Sequence, residues 1–450
     1  MYFGPTFAEM RDPSRIPQAT RDKALAAFEG SPLDPINLYN ITWKDAQNRV
    51  RFVELPSALT GVDARIVVLS GRRFPTGSHK VGAVYSILVE KQLAAEVMPG
   101  EHTLVCPSTG NYGIGGAWVG PRMGYRSLVV LPEQMSAERF ERIKSYGAEV
   151  IKTPGCESNV KEIFDKVWEL RLEPQNRILE QFSEFGNYRF HWAVTGGTVV
   201  DLAAELGGHV AAFVSAMGSA GTIAAADRIK QTHPDALSVG LEPIQCPTLY
   251  NVGFGAHRIE GIGDKHVTWI HNVMSMDYLF CIDDLECLKG LQLLQEGGAI
   301  LVDGLGLTPA FVESIHGMFG ISGVCNVLGA IKTAKVGRFG KRDLIFTVAT
   351  DGFDRYPSVL KKLDSEMGPM GRDDALRRIE IFHGAKLDYV LEGTPHVRER
   401  WHNQKYFTWV EQQAKTVEAL RAQSDMSFWI AEQSKAADID REILSRRMAC

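Results

Sequence analysis

The chain has 450 residues, of which 45% are hydrophobic and 23% charged, so wholesale disorder is excluded and a sizeable core is available. Lysine and arginine total 49 against 54 for aspartate and glutamate, a formal charge of −5, which argues against nucleic acid or an anionic membrane as the general partner. Forty-three glycines in a chain without low-complexity segments point to many tight turns or backbone–ligand contacts.

Residues 1–60 read as a mixed N-terminal arm, and the start lacks the basic-then-apolar pattern of a signal peptide. The segment Phe74-Pro75-Thr76-Gly77-Ser78-His79-Lys80 then leads into an apolar helix, Val81–Leu88. A lysine there sits half-buried at a helix N-terminus, where burial and the helix dipole both disfavour the ammonium form. That is the setting of a nucleophilic amine able to form a Schiff base, although a surface lysine in a first helical turn gives the same pattern.

Short apolar runs then alternate with helical patterns, the mark of parallel βαβ units and an α/β fold. A strand is predicted at His102–Pro107, followed by Ser108-Thr109-Gly110-Asn111-Tyr112-Gly113 and a helix ending near Gly124. Hydroxyls and bared amides at such a turn suit a carboxylate, and Asn111 can donate to a phenolate-like oxygen; an ordinary capped turn is the plainer alternative. Arg126–Leu131 follows as a strand. A helix capped by Ser136 comes next, carrying Arg139 in its first turn and stopping at Gly147, and then the strand Ala148–Lys152. A second series comprises the strand Val210–Ala216, the turn Gly218-Ser219-Ala220-Gly221-Thr222, the helix Ile223–Lys230 and the strand Leu237–Leu241. Small residues opening a helix let backbone amides approach a phosphate, with Thr222 as a further donor; the segment has neither the P-loop lysine nor the dinucleotide pattern. Leu344–Ala349 is a late strand with a helix from Pro357. Beyond about Asp364 the chain reads as charged and helical without strands, Phe407–Gln423 showing helical spacing at Phe407, Val410, Ala414 and Val417.

An amine nucleophile, a carboxylate nest and a phosphate cup together point to pyridoxal phosphate acting on an amino acid. The same segments resemble the fold-type II pyridoxal-phosphate enzymes of the cysteine synthase and cystathionine β-synthase family, within the tryptophan synthase β superfamily. Ser108-Thr109-Gly110-Asn111 stands for that family's Thr-Ser-Gly-Asn, and Gln181-Phe182 with His191 and Thr195-Gly196 for Gln-Phe…His…Thr-Thr-Gly. Gly218–Thr222 stands for Gly-Thr-Gly-Gly-Thr, Glu242-Pro243 for Glu-Pro, and Glu260-Gly261-Ile262-Gly263 for Gln-Gly-Ile-Gly. Gly320-Ile321-Ser322-Gly323 and Asp354-Arg355-Tyr356 resemble Gly-Ile-Ser-Ser-Gly and Glu-Arg-Tyr.

The resemblance implies two lobes, each a mostly parallel twisted sheet flanked by helices, with a helical C-terminal extension. Residues 1–70 would be an arm joining the large lobe, 71–200 the lysine region and small mobile lobe (about 85–190), 201–360 the large phosphate-binding lobe and 361–450 the extension. It implies Lys80 as the Schiff-base residue and proton carrier, with Asn111, Gly218, Ser219, Ala220, Gly221, Thr222, Thr350 and Asp351 on the cofactor. Ser108, Thr109, Gly110, Tyr112, Gly261 and His79 would meet the substrate. The implied reaction is β-replacement through an aminoacrylate on serine, O-activated serine or cysteine-like amino acids, in a homodimer. β-Elimination of the dehydratase or desulfhydrase type is the alternative, and an inactive regulatory homologue the other.

Departures from the family bear on these roles. His79 before Lys80 is as in tryptophan synthase β chains, yet their Glu-Thr-Gly-Ala-Gly loop is absent. Tyr112 replaces a small hydroxyl residue and would narrow the pocket. Gly352 aligns with the serine or threonine that faces the pyridine nitrogen, leaving Thr350, which keeps that nitrogen neutral, or Asp351, which protonates it. Val302–Met318 and Asp364–Cys450 are additions to the minimal enzyme. His191 reads as a turn or core histidine, and Trp401, Trp409 and Trp429 as packing of a helical layer or a dimer contact. Seven scattered cysteines without zinc spacing point to core thiols, no metal, and a reducing cytoplasmic setting; the uncharged run Gly207–Ala226 does not read as a membrane span.

Overall fold

The computed structural model describes residues 1–108, 110–155 and 160–449. Eleven strands form two sheets among them. Strands β1 (Phe52–Leu55) and β2 (Arg65–Ser70) pair antiparallel. The next four, β3 (Thr103–Pro107), β4 (Arg126–Pro132), β5 (Glu149–Thr153) and β6 (Asn176–Ile178), make an all-parallel sheet of order β5-β4-β3-β6. The remaining five are β7 (His209–Ala216), β8 (Leu237–Pro243), β9 (Tyr278–Ile282), β10 (Asp343–Ala349) and β11 (Val390–Glu392). They join β1 and β2 in a seven-stranded sheet of order β1-β2-β10-β7-β8-β9-β11, parallel except at its two edges.

The predicted strands lie within two residues of the observed ones, because runs such as Ala211–Val214 and Ile345–Val348 are buried on both faces and read as uninterrupted apolar stretches. The helix Ile321–Gly337 is buried nearly all round against the large sheet. Ser136 does precede the helix Ala137–Ser145, but its hydroxyl makes no cap; it donates instead to Glu260 at 3.2 Å.

The extension departs from the sequence expectation in two places. It contains β11, which pairs antiparallel with β9 and covers the sheet edge. Its 407–423 segment is not one helix: the helix Pro395–Lys405 runs into a π-helical turn at Tyr406–Val410, Ala414 takes φ +56°, and a new helix starts at Val417. Phe407 therefore points outward at 60% exposure, although its spacing suggested a buried face. Trp401, Trp409 and Trp429 are all buried within the chain. The added stretch 302–318 is the end of the helix Gly298–Leu305 followed by the helix Pro309–Ile315. The last helix, Met426–Ala449, returns to the N-terminus, where Asp440 accepts from the amides of Phe7 (2.7 Å) and Ala8 (3.0 Å) and caps the helix Phe7–Arg11. No helix among the described residues is long and apolar enough to cross a membrane.

Candidate active site

Parallel α/β sheets place ligands beyond the C-terminal ends of their strands, and one cavity, the one that holds Lys80, lies there. It is lined from the small sheet by Gly110, Asn111 and Tyr112 after β3 and Gln181 after β6. From the large sheet come Ala216, Gly218, Ser219, Ala220 and Thr222 at β7, and Thr350 after β10. Lys80, Gly261 and Ile262 complete it.

Lys80 is half-buried as the first residue of the helix Lys80–Leu93, after the turn at Gly77, whose φ of +74° favours glycine. Ser78 forms a single antiparallel bridge with Asp351, so this turn is tied to the end of β10. The Lys80 Nζ donates to Ser219 Oγ at 3.0 Å, which brings the amine onto the small-residue loop.

That loop is shaped by collisions it avoids. Asn187, fully buried, donates to Ser219 Oγ at 3.0 Å; a Cβ on Gly221 would lie 2.1 Å from Asn187 Oδ1, and one on Gly218 would lie 2.6 Å from the Gly261 carbonyl. Ala220 adopts φ +57°, a left-handed conformation that turns the chain into the helix Ala224–Thr232. The result is a shallow cup of backbone with the positive end of a helix dipole behind it.

The opposite wall is built from side chains. Asn111 donates to Asp351 Oδ2 at 2.6 Å and accepts from Arg355 Nε at 2.8 Å. Asp351 Oδ2 also accepts from the Tyr356 hydroxyl at 2.8 Å, which in turn accepts from Arg139 at 2.9 Å, while Arg139 Nε donates to Glu260 at 2.6 Å. Arg139, Asp351 and Tyr356 are wholly buried and Arg355 nearly so. The two guanidiniums, 3.8 and 3.9 Å from Asp351, offset the cost of burying its carboxylate.

Comparison with known proteins identifies the family. Residues 46–310 match the family described as pyridoxal-phosphate dependent enzymes. The chain belongs to that family. A probable cysteine synthase of Bacillus subtilis is 29% identical over 286 residues, 63% of this chain and 85% of the relative. A cysteine synthase of Caenorhabditis elegans is 31% identical over 226 residues, 49% of this chain and 64% of the relative. Among solved structures, a hydrogen sulfide-producing enzyme from Fusobacterium nucleatum is 25% identical with a TM-score of 0.58, covering 73% of this chain and 91% of that one. The Entamoeba histolytica cysteine synthase, at 21% identity and TM-score 0.60, covers 74% and 92% and shares the fold. The chain is thus a fold-type II enzyme dependent on pyridoxal phosphate.

The residues present fit that cofactor. A lysine amine, a backbone cup where a Cβ would intrude, and a threonine hydroxyl face one cavity. Of the residues expected on the cofactor, Lys80, Asn111, Gly218, Ser219, Ala220, Thr222 and Thr350 line it, and Gly221 shapes it from behind. Asp351 does not: Oδ2 is engaged by Asn111 and Tyr356, and Oδ1 lies against Gly320, where a Cβ would be 2.0 Å away.

Of the expected substrate residues, Gly110, Tyr112 and Gly261 line the cavity, and Tyr112 donates to the Leu179 carbonyl at 3.1 Å. Ser108 does not; its Oγ accepts from the amides of Gly110 (2.8 Å) and Gly113 (2.7 Å), so it organises the turn from beneath and occupies two amides of the expected nest. His79 does not either. Its ring packs between Trp43 and His191 in the core (centroids 5.5 and 4.8 Å), because the residue before Lys80 points the other way; burial and the nearby Lys80 charge keep it neutral. Thr109 lies outside the described residues. Sequence reasoning passed over Gln181, Ala216 and Ile262 as lining residues. Ala216 and Gln181 close or follow parallel strands, a signal that could have found both.

Proposed function

We propose that this enzyme catalyses β-replacement on serine, O-activated serine or cysteine-like amino acids. The observation that carries the reading is the Lys80 amine on Ser219, inside a cavity shared with the Gly110–Tyr112 turn and Thr350. The cysteine synthases among its relatives support the substrate class. When bound, pyridoxal phosphate supplies a carbonyl carbon that amines attack and an electron sink for charge developing at the substrate α-carbon.

The protein's own residues do the rest. The loop Gly218–Thr222 takes the phosphate on backbone amides and the Thr222 hydroxyl. Thr350, which follows β10 and lines the cavity, would meet the pyridine nitrogen and leave it neutral, since Asp351 is turned into the buried network. Asn111, held by Asp351 and Arg355, would give its remaining amide hydrogen to the cofactor, and Gly110 and Tyr112 would meet the substrate carboxylate. Lys80 would hold the cofactor, and its amine, once free, would take the proton from the substrate α-carbon and return it at the end of the cycle. Residues of about 85–190, which carry the small sheet, form the lobe whose closure excludes water from that step.

The five described cysteines are free and buried, which supports a reducing, cytoplasmic setting, and the family resemblance supports a homodimer. The test is to supply O-acetylserine with and without a thiol. β-Replacement predicts a thioether or cysteine with the thiol present and little pyruvate without it; pyruvate and ammonia at an equal rate in both would establish elimination, the activity suggested by the hydrogen sulfide-producing neighbour. The Lys80→Ala protein should lose turnover by roughly 10²–10⁴-fold in either case, which separates an active enzyme from a regulatory homologue.

A further inference from the structure

The helix Ala137–Ser145 lies between β4 and β5 and is bound to both lobes. Its buried Phe140 lies against Lys152 of β5, 4.3 Å from ammonium to ring centre, which ties it to the small sheet. Glu138, Arg139 and Arg142, at helical spacings of one, three and four, share another face, and each of them bonds to the large lobe.

Glu138 accepts from the amide (2.9 Å) and hydroxyl (2.6 Å) of Ser358, in the first turn of the helix Pro357–Met367, whose own N-cap residue supplies no side-chain cap. Arg142 pairs with Asp354 at 2.8 Å. Between them, wholly buried Arg139 donates to Glu260 at 2.6 Å and to the Tyr356 hydroxyl at 2.9 Å. Its Nη1 lies against the turn after β3: a Cβ on Gly110 would be 2.2 Å away. Glu260 also accepts from Ser136, just before the same helix, at 3.2 Å, and it immediately precedes Gly261 and Ile262 of the cavity lining. One guanidinium therefore joins the turn on one side of the cavity to the segment on the other.

These bonds differ in kind from the packing inside each lobe. An apolar contact resists exposure, whereas hydrogen-bonded and charged groups can part and be taken up by water. While together they demand their geometry, since a buried guanidinium that misses its carboxylate is left uncompensated. Polar fastening of this type selects one closed arrangement and leaves a route out of it.

We propose that Arg139 and Glu260 are positioning residues for the substrate, and that the helix Ala137–Ser145 is the latch that holds the small lobe over the cavity. For the identity of the substrate, an amino acid with a β-leaving group, this rests on the β-replacement reading. With the latch fastened, Gly110 and Tyr112 are held across the cavity from Gly261, on opposite sides of the space the amino acid fills. With it released, the turn moves away with its helix and water reaches the reacting carbons.

The test uses the holoenzyme and its Glu260→Ala, Glu260→Gln and Arg142→Gln variants. Amide hydrogen exchange without substrate reads the latch directly. In Glu260→Ala, residues 110–113 and 137–145 should exchange faster by roughly tenfold, the loss of a charge-assisted hydrogen bond, while the large sheet keeps its wild-type rates. With O-acetylserine and a thiol, the KM for O-acetylserine should rise by about the same factor and kcat should change by less. Cofactor affinity should hold, and a larger share of the turnover should end as pyruvate because water enters. Glu260→Gln, which keeps the oxygen and loses the charge, should fall between wild type and Glu260→Ala. Arg142→Gln should shift exchange and KM by about twofold, because its pair is only half-buried. Wild-type exchange at residues 110–113 and 137–145 in Glu260→Ala would overturn the proposal. So would faster exchange spread evenly over both sheets in both Glu260 variants, or an unmoved KM. A wild type that leaves O-acetylserine untouched, or forms pyruvate equally with and without thiol, would count against the β-replacement reading instead, and the exchange rates would still decide the latch.

Discussion

The two walls of the cofactor cavity are made in opposite ways. The loop Gly218–Thr222 is a feature of backbone, in which glycines avoid Asn187 and Gly261 and the following helix supplies the field. The wall behind Asn111 is a feature of side chains, in which Asp351, Tyr356, Arg139, Arg355 and Glu260 come together from distant parts of the chain. A backbone cup is specified by five neighbouring residues. A buried charge network needs every member, and removing one leaves its partners unpaired in a low-dielectric interior.

The largest effect is therefore expected at Asp351. Asp351→Ala leaves Asn111 and Tyr356 without their acceptor and takes from Arg139 and Arg355 one of the two carboxylates that face each, Glu260 and Asp354 being the others. It should cost about 3–5 kcal/mol in urea-induced unfolding, with Asp351→Asn intermediate. A loss below about 1 kcal/mol would show that the wall does not depend on its charges. The phosphate-loop side should respond more gently in stability and more sharply in binding. Gly221→Ala pushes a methyl into Asn187 Oδ1 and should weaken cofactor affinity by about tenfold, or 1.4 kcal/mol, read by titrating the apoenzyme with pyridoxal phosphate. Unchanged affinity there would mean that Asn187 moves aside freely and that the cup is less rigid than its contacts imply.

The same contrast governs what could be read from the sequence. The strands, the lysine turn and the cup are local: apolar runs, a Gly77 turn and small residues opening a helix stand in consecutive positions. The position of Asp351 could not be read that way. Thr350 and Asp351 are neighbours on one loop, and which of them faces the cavity depends on Asn111, 240 residues away, and on Gly320 leaving room for the carboxylate. The place of His79 is hidden for a related reason, since its core partners Trp43 and His191 come from the N-terminal arm and a later helix. The extension's break at Ala414 hid behind a helical spacing that the backbone does not follow. Its buried Lys405 carries no motif, because the acceptors it needs are mostly backbone carbonyls.

The central claim is that Lys80 is the residue that carries the cofactor. Borohydride reduction of the holoenzyme followed by peptide mapping tests it most directly. The account predicts a pyridoxyl group on Lys80 in the wild type and none in Lys80→Ala; a pyridoxyl group on any other lysine, with Lys80 unmodified, would contradict it.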